Sequence, residues 1–291
     1  MILKLFKESK NYIKNNHKFI KLVFYTSFGK LLYTLILLAY NINNLLIYRF
    51  DKGLSLMSSL KYFRVEIVTN HLIWLAILVA LIILIGYVFL FPTGMSAAIH
   101  FLKDNKNSTG KAMGKGFNDF FTMFELNALA LSFGVYTYAI TVLRLFTLGV
   151  LNNTIAIILV VIWGFTVLFS SIFWQYAKFL IVMENMGVFE AIKKSISITI
   201  NNIGVTIKGR IMQIVFYFLF FFKAFILASV PMLLIYFLIN GGASSRGFEW
   251  LIRVVGVVAV VLITYIISII QAFFKKFWFD LYNIIVNMEE E

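Results

Sequence analysis

The chain has 291 residues, 61% of them hydrophobic and 13% charged, against roughly 45–50% and about 25% in soluble domains. That balance excludes an ordinary soluble fold, and the absence of Cys excludes a disulfide framework or a thiolate metal site. The formal net charge of +13 needs no nucleic-acid partner, because basic residues are the normal flanks of membrane spans.

In chain order, "MILKLFKESKNYIKNNHKF" alternates Lys with apolar residues. It has no uninterrupted apolar core followed by a small-residue cleavage site, so the mature protein is expected to begin near Met1. A hydrocarbon core of about 30 Å needs about 20 mainly apolar residues per helix. Six segments meet that requirement, near Phe24–Ile47, Ile73–Ala97, Phe124–Leu148, Ile155–Met183, Ile211–Ile239 and Trp250–Phe274. The link "GVLNNT" between the third and fourth is short enough for a helical hairpin. The loops and tails on one side carry 17 Lys and Arg, against 6 on the other. The richer side is expected to be cytoplasmic, with both termini there and facing an anionic leaflet.

Residues 187–208, "GVFEAIKKSISITINNIGVTIK", are the most informative stretch. "SISITI" alternates as a strand would, but a lone strand at a membrane surface leaves its backbone groups unpaired. At helical spacing Phe189, Ile192, Ile196, Ile200, Ile203 and Ile207 form an apolar stripe, with Lys193, Lys194, Ser197, Asn201 and Asn202 opposite. Ile198 is the misfit. The pattern predicts an interfacial helix with its apolar face toward lipid and its lysines toward water or phosphate.

Two other places resemble this stretch. A shift of 79 residues sets "KAMGKGF" (111–117) on "EAIKKSI" (190–196), matching Ala112 with Ala191 and Lys115 with Lys194. A shift of 180 matches Lys14 with Lys194, Thr26 with Thr206, and Gly29-Lys30 with Gly209-Arg210. The predicted fold is therefore all-α and polytopic, a single membrane domain over residues 1–291. It has six transmembrane helices and short basic amphipathic helices, arranged as three repeats of one interfacial helix plus two spans. Three unrelated basic flanks are the alternative. Under the repeat, Lys30 sits near the cytoplasmic interface, where a long cationic side chain can snorkel.

The pattern in "ENMGVFEAIKKSISITINNIG" (184–204), carried by Glu184, Gly187, Glu190, Ala191, Lys193, Lys194 and Ser195, resembles a segment of a bacterial membrane-domain family. That family comprises the membrane domain associated with glycerophosphodiester phosphodiesterases and the six-helix inner-membrane proteins of the YciC type. "STGKAMGKGFNDFF" resembles the corresponding earlier segment. The resemblance implies an integral inner-membrane protein with no catalytic residues to carry over. A phosphodiesterase activity is not implied, since this chain ends at "VNMEEE" without a soluble domain. The abundance of Lys, Asn, Ile and Phe also suits an AT-rich bacterial genome.

The inventory for chemistry is poor. His17, His71 and His100 are far apart, and no zinc-protease, nucleophile-elbow or phosphate-loop spacing occurs. "GKAMGKG" lacks P-loop spacing and reads instead as a flexible basic link. Asp51, Glu66 and Glu249 fall on the outer side, and no acid sits at the middle of a span, which argues against a proton-coupled transporter. Lys223 in "FLFFFKAFIL" is the exception among the bases: it either binds an anionic group such as a lipid phosphate or has a structural role beside Pro231. Pro92 and Pro231 are expected to kink their helices.

These features predict a non-enzymatic bacterial inner-membrane protein that interacts with lipids or supports a membrane complex, with no cofactor and no metal. Its partners are anionic membrane lipids and a protein of unknown identity, contacted through Lys111, Lys115, Lys193, Lys194, Lys208, Arg210 and Lys223. The alternative is a transport permease subunit, such as the membrane component of an ATP-driven exporter, with 187–208 as its coupling helix. Of the importer-type coupling motif, however, only Glu190 and Ala191 are present. A membrane-embedded lipid enzyme has least support, and His100 converging with acids on one cavity would favour it.

Overall fold

The computed structural model describes residues 2–30, 71–104, 108–147, 149–240 and 246–290. Among these the regular structure is helical, with no strand. Helix α1 covers Ile2–Asn15 and α2 runs from 17 to the end of that described stretch at 30. Next come α3 His71–Lys103, α4 Thr109–Asn118, α5 Phe120–Ser132 and α6 Val135–Thr147. After a 3₁₀ turn at Val150–Asn152 follow α7 Thr154–Phe173, α8 Ala177–Glu184, α9 Val188–Asn201, α10 Ile203–Asn240 and α11 Arg246–Glu290.

Four described stretches are long and apolar enough to cross a membrane: Leu81–Lys103, Phe120–Phe146, Thr154–Glu184 and Ile203–Phe220. They correspond to the second, third, fourth and fifth expected spans. Most of the first expected span lies outside the described residues, as do Asp51 and Glu66. The sixth falls within α11, many of whose side chains before residue 261 are also outside them, Glu249 included.

Two expected spans are interrupted helices. The third breaks at Phe133–Gly134, between α5 and α6, and the fourth at 174–176, between α7 and α8. A break inside an apolar helix leaves backbone acceptors that lipid cannot satisfy, and here hydroxyls satisfy them. Thr137 Oγ1 donates to the Leu131 carbonyl at 2.8 Å, and Ser170 Oγ donates to the Phe133 carbonyl at 3.4 Å. The Phe133 and Trp174 rings meet edge to face with centroids 5.6 Å apart, so the two breaks lie side by side. Helix α3, by contrast, runs unbroken through Pro92, and Thr93 Oγ1 bonds back to the Phe89 carbonyl at 2.7 Å.

The chain divides into two compact units, residues 25–199 and residues 1–24 with 200–291. In the first, α3 has an exposed apolar half, with Leu81, Ile82, Ile85 and Phe89 outward, and a buried half from Phe91 to Leu102. The α7–α8 pair repeats that division. Helix α7 exposes Ile155, Leu159, Ile162, Phe165 and Leu168, whereas α8 buries Ala177, Phe179, Leu180, Ile181 and Val182. In the second unit α11 exposes Val261, Leu262 and Tyr265, then buries most side chains from Ile270 to Ile285. Each well-packed half follows an apolar half that leaves its surface open.

Short amphipathic helices pack on two of these halves, and in the third case one is fastened to the end of α7. Helix α4 packs along α3. Helix α1 packs on α11, where Phe6 meets Phe273 edge to face with centroids 4.6 Å apart. Helix α9 is fastened to the α7–α8 junction by Ser195. "GKAMGKG", expected as a flexible link, is helical throughout and forms most of α4.

Candidate functional site

Helix α4 begins at Ser108, whose side chain accepts a hydrogen bond from the Lys111 backbone N–H at 3.4 Å and so caps an orphan donor. Ala112 and Gly116, four residues apart, form its buried stripe. A Cβ at Gly116 would stand 2.5 Å from the Thr93 carbonyl oxygen and 2.9 Å from the Ala97 nitrogen. Only glycine lets the two helices approach this closely. The opposite side of α4 carries Lys111 and Lys115, both exposed. Lys115 makes an exposed ion pair with Asp104 at 3.6 Å, the kind that contributes at most about 1 kcal/mol.

The joint between α4 and α5 holds a cluster that no sequence motif announced. Ser96 and His100, one turn apart on α3, both reach Asp119: Ser96 Oγ donates to Asp119 Oδ2, and His100 Nε2 lies 2.9 Å from the same oxygen. The carboxylate stands between serine and histidine, whereas activation of a serine nucleophile requires the imidazole in that position. The cluster therefore clamps a corner and is not wired as a catalytic triad. The only foresight in the sequence was the i,i+4 spacing of Ser96 and His100 before a polar helix junction.

Helix α9 is organised around Ser195. Its hydroxyl donates to the Phe173 carbonyl at 2.6 Å and accepts from the Tyr176 backbone N–H at 3.1 Å, satisfying a donor and an acceptor freed by the α7–α8 break. Glu190 in the first turn carries the charge favoured by the helix dipole. Lys194 is half-buried and bonds Glu184 at 2.5 Å, while Lys193 is exposed.

Two features of the expected interfacial helix change. It ends at Asn201, so Ile203 and Ile207 belong to α10, whose first turn is closed by Thr206 Oγ1 donating to the Asn202 carbonyl at 3.1 Å. Moreover, the stripe packed on protein is Val188, Ala191, Ser195, Ile198 and Thr199. The misfit Ile198 is thus a core residue, and the Phe189–Ile200 stripe is left open.

At the start of α10, Lys208 is exposed and Arg210 is held inside. Arg210 Nη1 donates to Gln213 Oε1 at 2.8 Å, and Trp278 Nε1 donates to the same oxygen at 3.0 Å. The Trp278 ring covers Gly209, where a Cβ would come within 3.1 Å of it. Arg210 is therefore part of the packing of α10 on α11. Lys30 places its Nζ 3.8 Å from the centre of the Phe91 ring, a cation–π contact. Lys223 lies in α10, with its side chain outside the described residues.

In the unit that contains α1, Lys276 bonds Asp280 at 2.5 Å and sits 4.8 Å from the Tyr12 ring centre. Burial raises the Asp280 carboxyl above its ordinary range, against the opposing Lys276 ammonium and with a further push from Glu8. Burial, with the Asp280 charge, also raises the Tyr12 hydroxyl to about 12. These groups fasten α1 to α11 and were missed in the sequence because Tyr12 and Asp280 are remote in the chain.

The seven candidate lysines and arginine thus occupy separate places: Lys111 and Lys115 on α4, Lys193 and Lys194 on α9, and Lys208, Arg210 and Lys223 along α10. Among the described residues no group of three or more His, Cys, Asp or Glu could hold a metal ion. The architecture defines an all-helical chain compatible with a membrane protein. No family model, curated protein or solved structure matches it.

Proposed function

We propose that this is a non-enzymatic bacterial inner-membrane protein, lipid-interacting or supporting a membrane complex, with six spans and both termini in the cytoplasm. The observation that carries the proposal is the arrangement of α4 and α9. Each is a short helix whose small residues pack on protein at one end of an apolar helix while lysine remains exposed at that same end. An anionic leaflet attracts such residues by about 1 kcal/mol each near its surface.

The threefold plan belongs to the same proposal. Gly116 and Ser195 are 79 residues apart, the shift that aligns the two basic stretches. Gly116 meets the preceding membrane-length stretch at Thr93 and Ala97, and Ser195 meets its own at Phe173 and Tyr176; the same shift carries Ala97 onto Tyr176. Helix α3 is continuous there and leaves room only for glycine; the broken α7–α8 pair accommodates and employs a serine hydroxyl. Helix α1 also packs on a long apolar helix, α11, but at the shift of 180 Asn15 stands for Ser195 and is exposed. The resemblance to the membrane domain associated with glycerophosphodiester phosphodiesterases and to YciC-type proteins accords with this plan.

Gentle solubilisation followed by mass spectrometry of the copurified lipids and proteins tests the proposal. Retention of anionic phospholipid without an ATPase is the expected result. A stoichiometric ATPase bound to the chain would replace this reading with that of a permease subunit.

A further inference from the structure

Helix α9 has three faces. At 3.6 residues per turn, Val188, Ala191, Ser195, Ile198 and Thr199 share one arc and are buried. The adjoining arc holds Phe189, Ile192, Ile196 and Ile200, of which Phe189 is 80% and Ile200 56% exposed. The third is polar, with Glu190, Lys194, Ser197 and Asn201. Lys193 falls on the border between the open apolar arc and the polar one, whereas Lys194 lies farther round, toward Glu184.

The level of this helix along the α7–α8 pair is set by Ser195. Helix α7 has 20 residues, about 30 Å of rise, which is about the thickness of a hydrocarbon core. Its last residue is Phe173, and Ser195 bonds the Phe173 carbonyl and the Tyr176 N–H. The middle of α9 is thereby held at the end of α7, where the exposed apolar surface of that helix gives way to the buried α8.

We propose that α9 is a wedge seated in the headgroup–acyl boundary of an anionic phospholipid leaflet. Phe189, Ile192, Ile196 and Ile200 enter the acyl region, Lys193 engages lipid phosphate, and Lys194 is reserved for Glu184. Charge complementarity selects this occupant. A cation at the edge of an apolar stripe, at the level where a span leaves the hydrocarbon, places its ammonium among phosphates while its methylenes stay with the chains. The two adjacent lysines therefore differ in function. The proposal rests on the membrane reading above and makes it specific to one helix and one lysine.

The chain has no Cys, so single cysteines report cleanly. In full-length protein in nanodiscs containing phosphatidylglycerol, a spin label on Ile196→Cys should be relaxed by oxygen and shielded from a water-soluble nickel chelate. Ser197→Cys should show the reverse. Lys193→Gln should lower phosphatidylglycerol retention about fivefold in a salt-dependent way. Lys194→Gln and Glu184→Gln should leave retention unchanged and share a small loss of thermal stability that Lys193→Gln lacks. Equal nickel access at 196 and 197, equal retention losses in the two lysine variants, or 196-to-196 crosslinks between two copies would each overturn the wedge. Impermeant-reagent labelling at 111 and 152 from opposite sides of the membrane tests the membrane reading separately, so failure of the wedge alone is recognisable.

Discussion

Ser195 illustrates how one residue can matter without chemistry. It was legible as part of a family-like pattern, but not its task, because the backbone groups that it satisfies exist only when the fourth span breaks at 174–176. Ser195→Ala strands a buried N–H and a carbonyl and should destabilise the protein by about 1–3 kcal/mol, measured by thermal unfolding in detergent. An unchanged midpoint would mean that the α7–α8 break does not depend on this hydroxyl. Ile198 makes the same point from the other side: it spoiled the apolar stripe in the sequence because it belongs to the stripe that packs on protein. At Asp280 the folded-state carboxyl is raised mainly by burial. Its contribution to stability is therefore fully present below the unfolded value and is lost as pH rises through the folded one. Asp280→Asn abolishes that dependence, so the variant should gain stability relative to the parent as pH rises from about 4, near the ordinary carboxylate value, toward neutrality. A gap that moves the other way would contradict the burial argument.

Among elements, the amphipathic helices were readable because a period of three to four residues survives in composition as biased as this. The interruptions were not. Phe133–Gly134 lies in an apolar run with one weak breaker, and its acceptors are satisfied by Thr137 and by Ser170 of a different helix. The corner between α4 and α5 depends in the same way on distant partners, Ser96 and His100 around Asp119. Asp119→Ala leaves both without their common acceptor and should cost about 1–3 kcal/mol, seen as faster proteolysis at the α4–α5 joint and a lower unfolding midpoint. Gly116→Ala places a methyl group 2.5 Å from a backbone oxygen and should cost about as much through overpacking. An unaltered midpoint in that variant would show that α4 does not approach α3 so closely.

For the whole molecule, composition alone makes a membrane protein legible: 61% of the residues are hydrophobic and 13% charged. Among the described residues, four apolar stretches are of membrane-crossing length. What composition did not convey is how unevenly α3, the α7–α8 pair and α11 are used: in each, a packed half follows an open apolar half. Lys111 and Lys193 are exposed on α4 and α9. The proposed topology puts residues 111, 193 and 208 on the cytoplasmic side of the membrane and residue 152 on the other. Single cysteines at 111, 193 and 208, with one at 152 for comparison, can be challenged with a membrane-impermeant maleimide in vesicles of both orientations. Under that topology 111, 193 and 208 react in inside-out vesicles and 152 only in right-side-out ones; reaction of 111 or 193 from the outer side would contradict it.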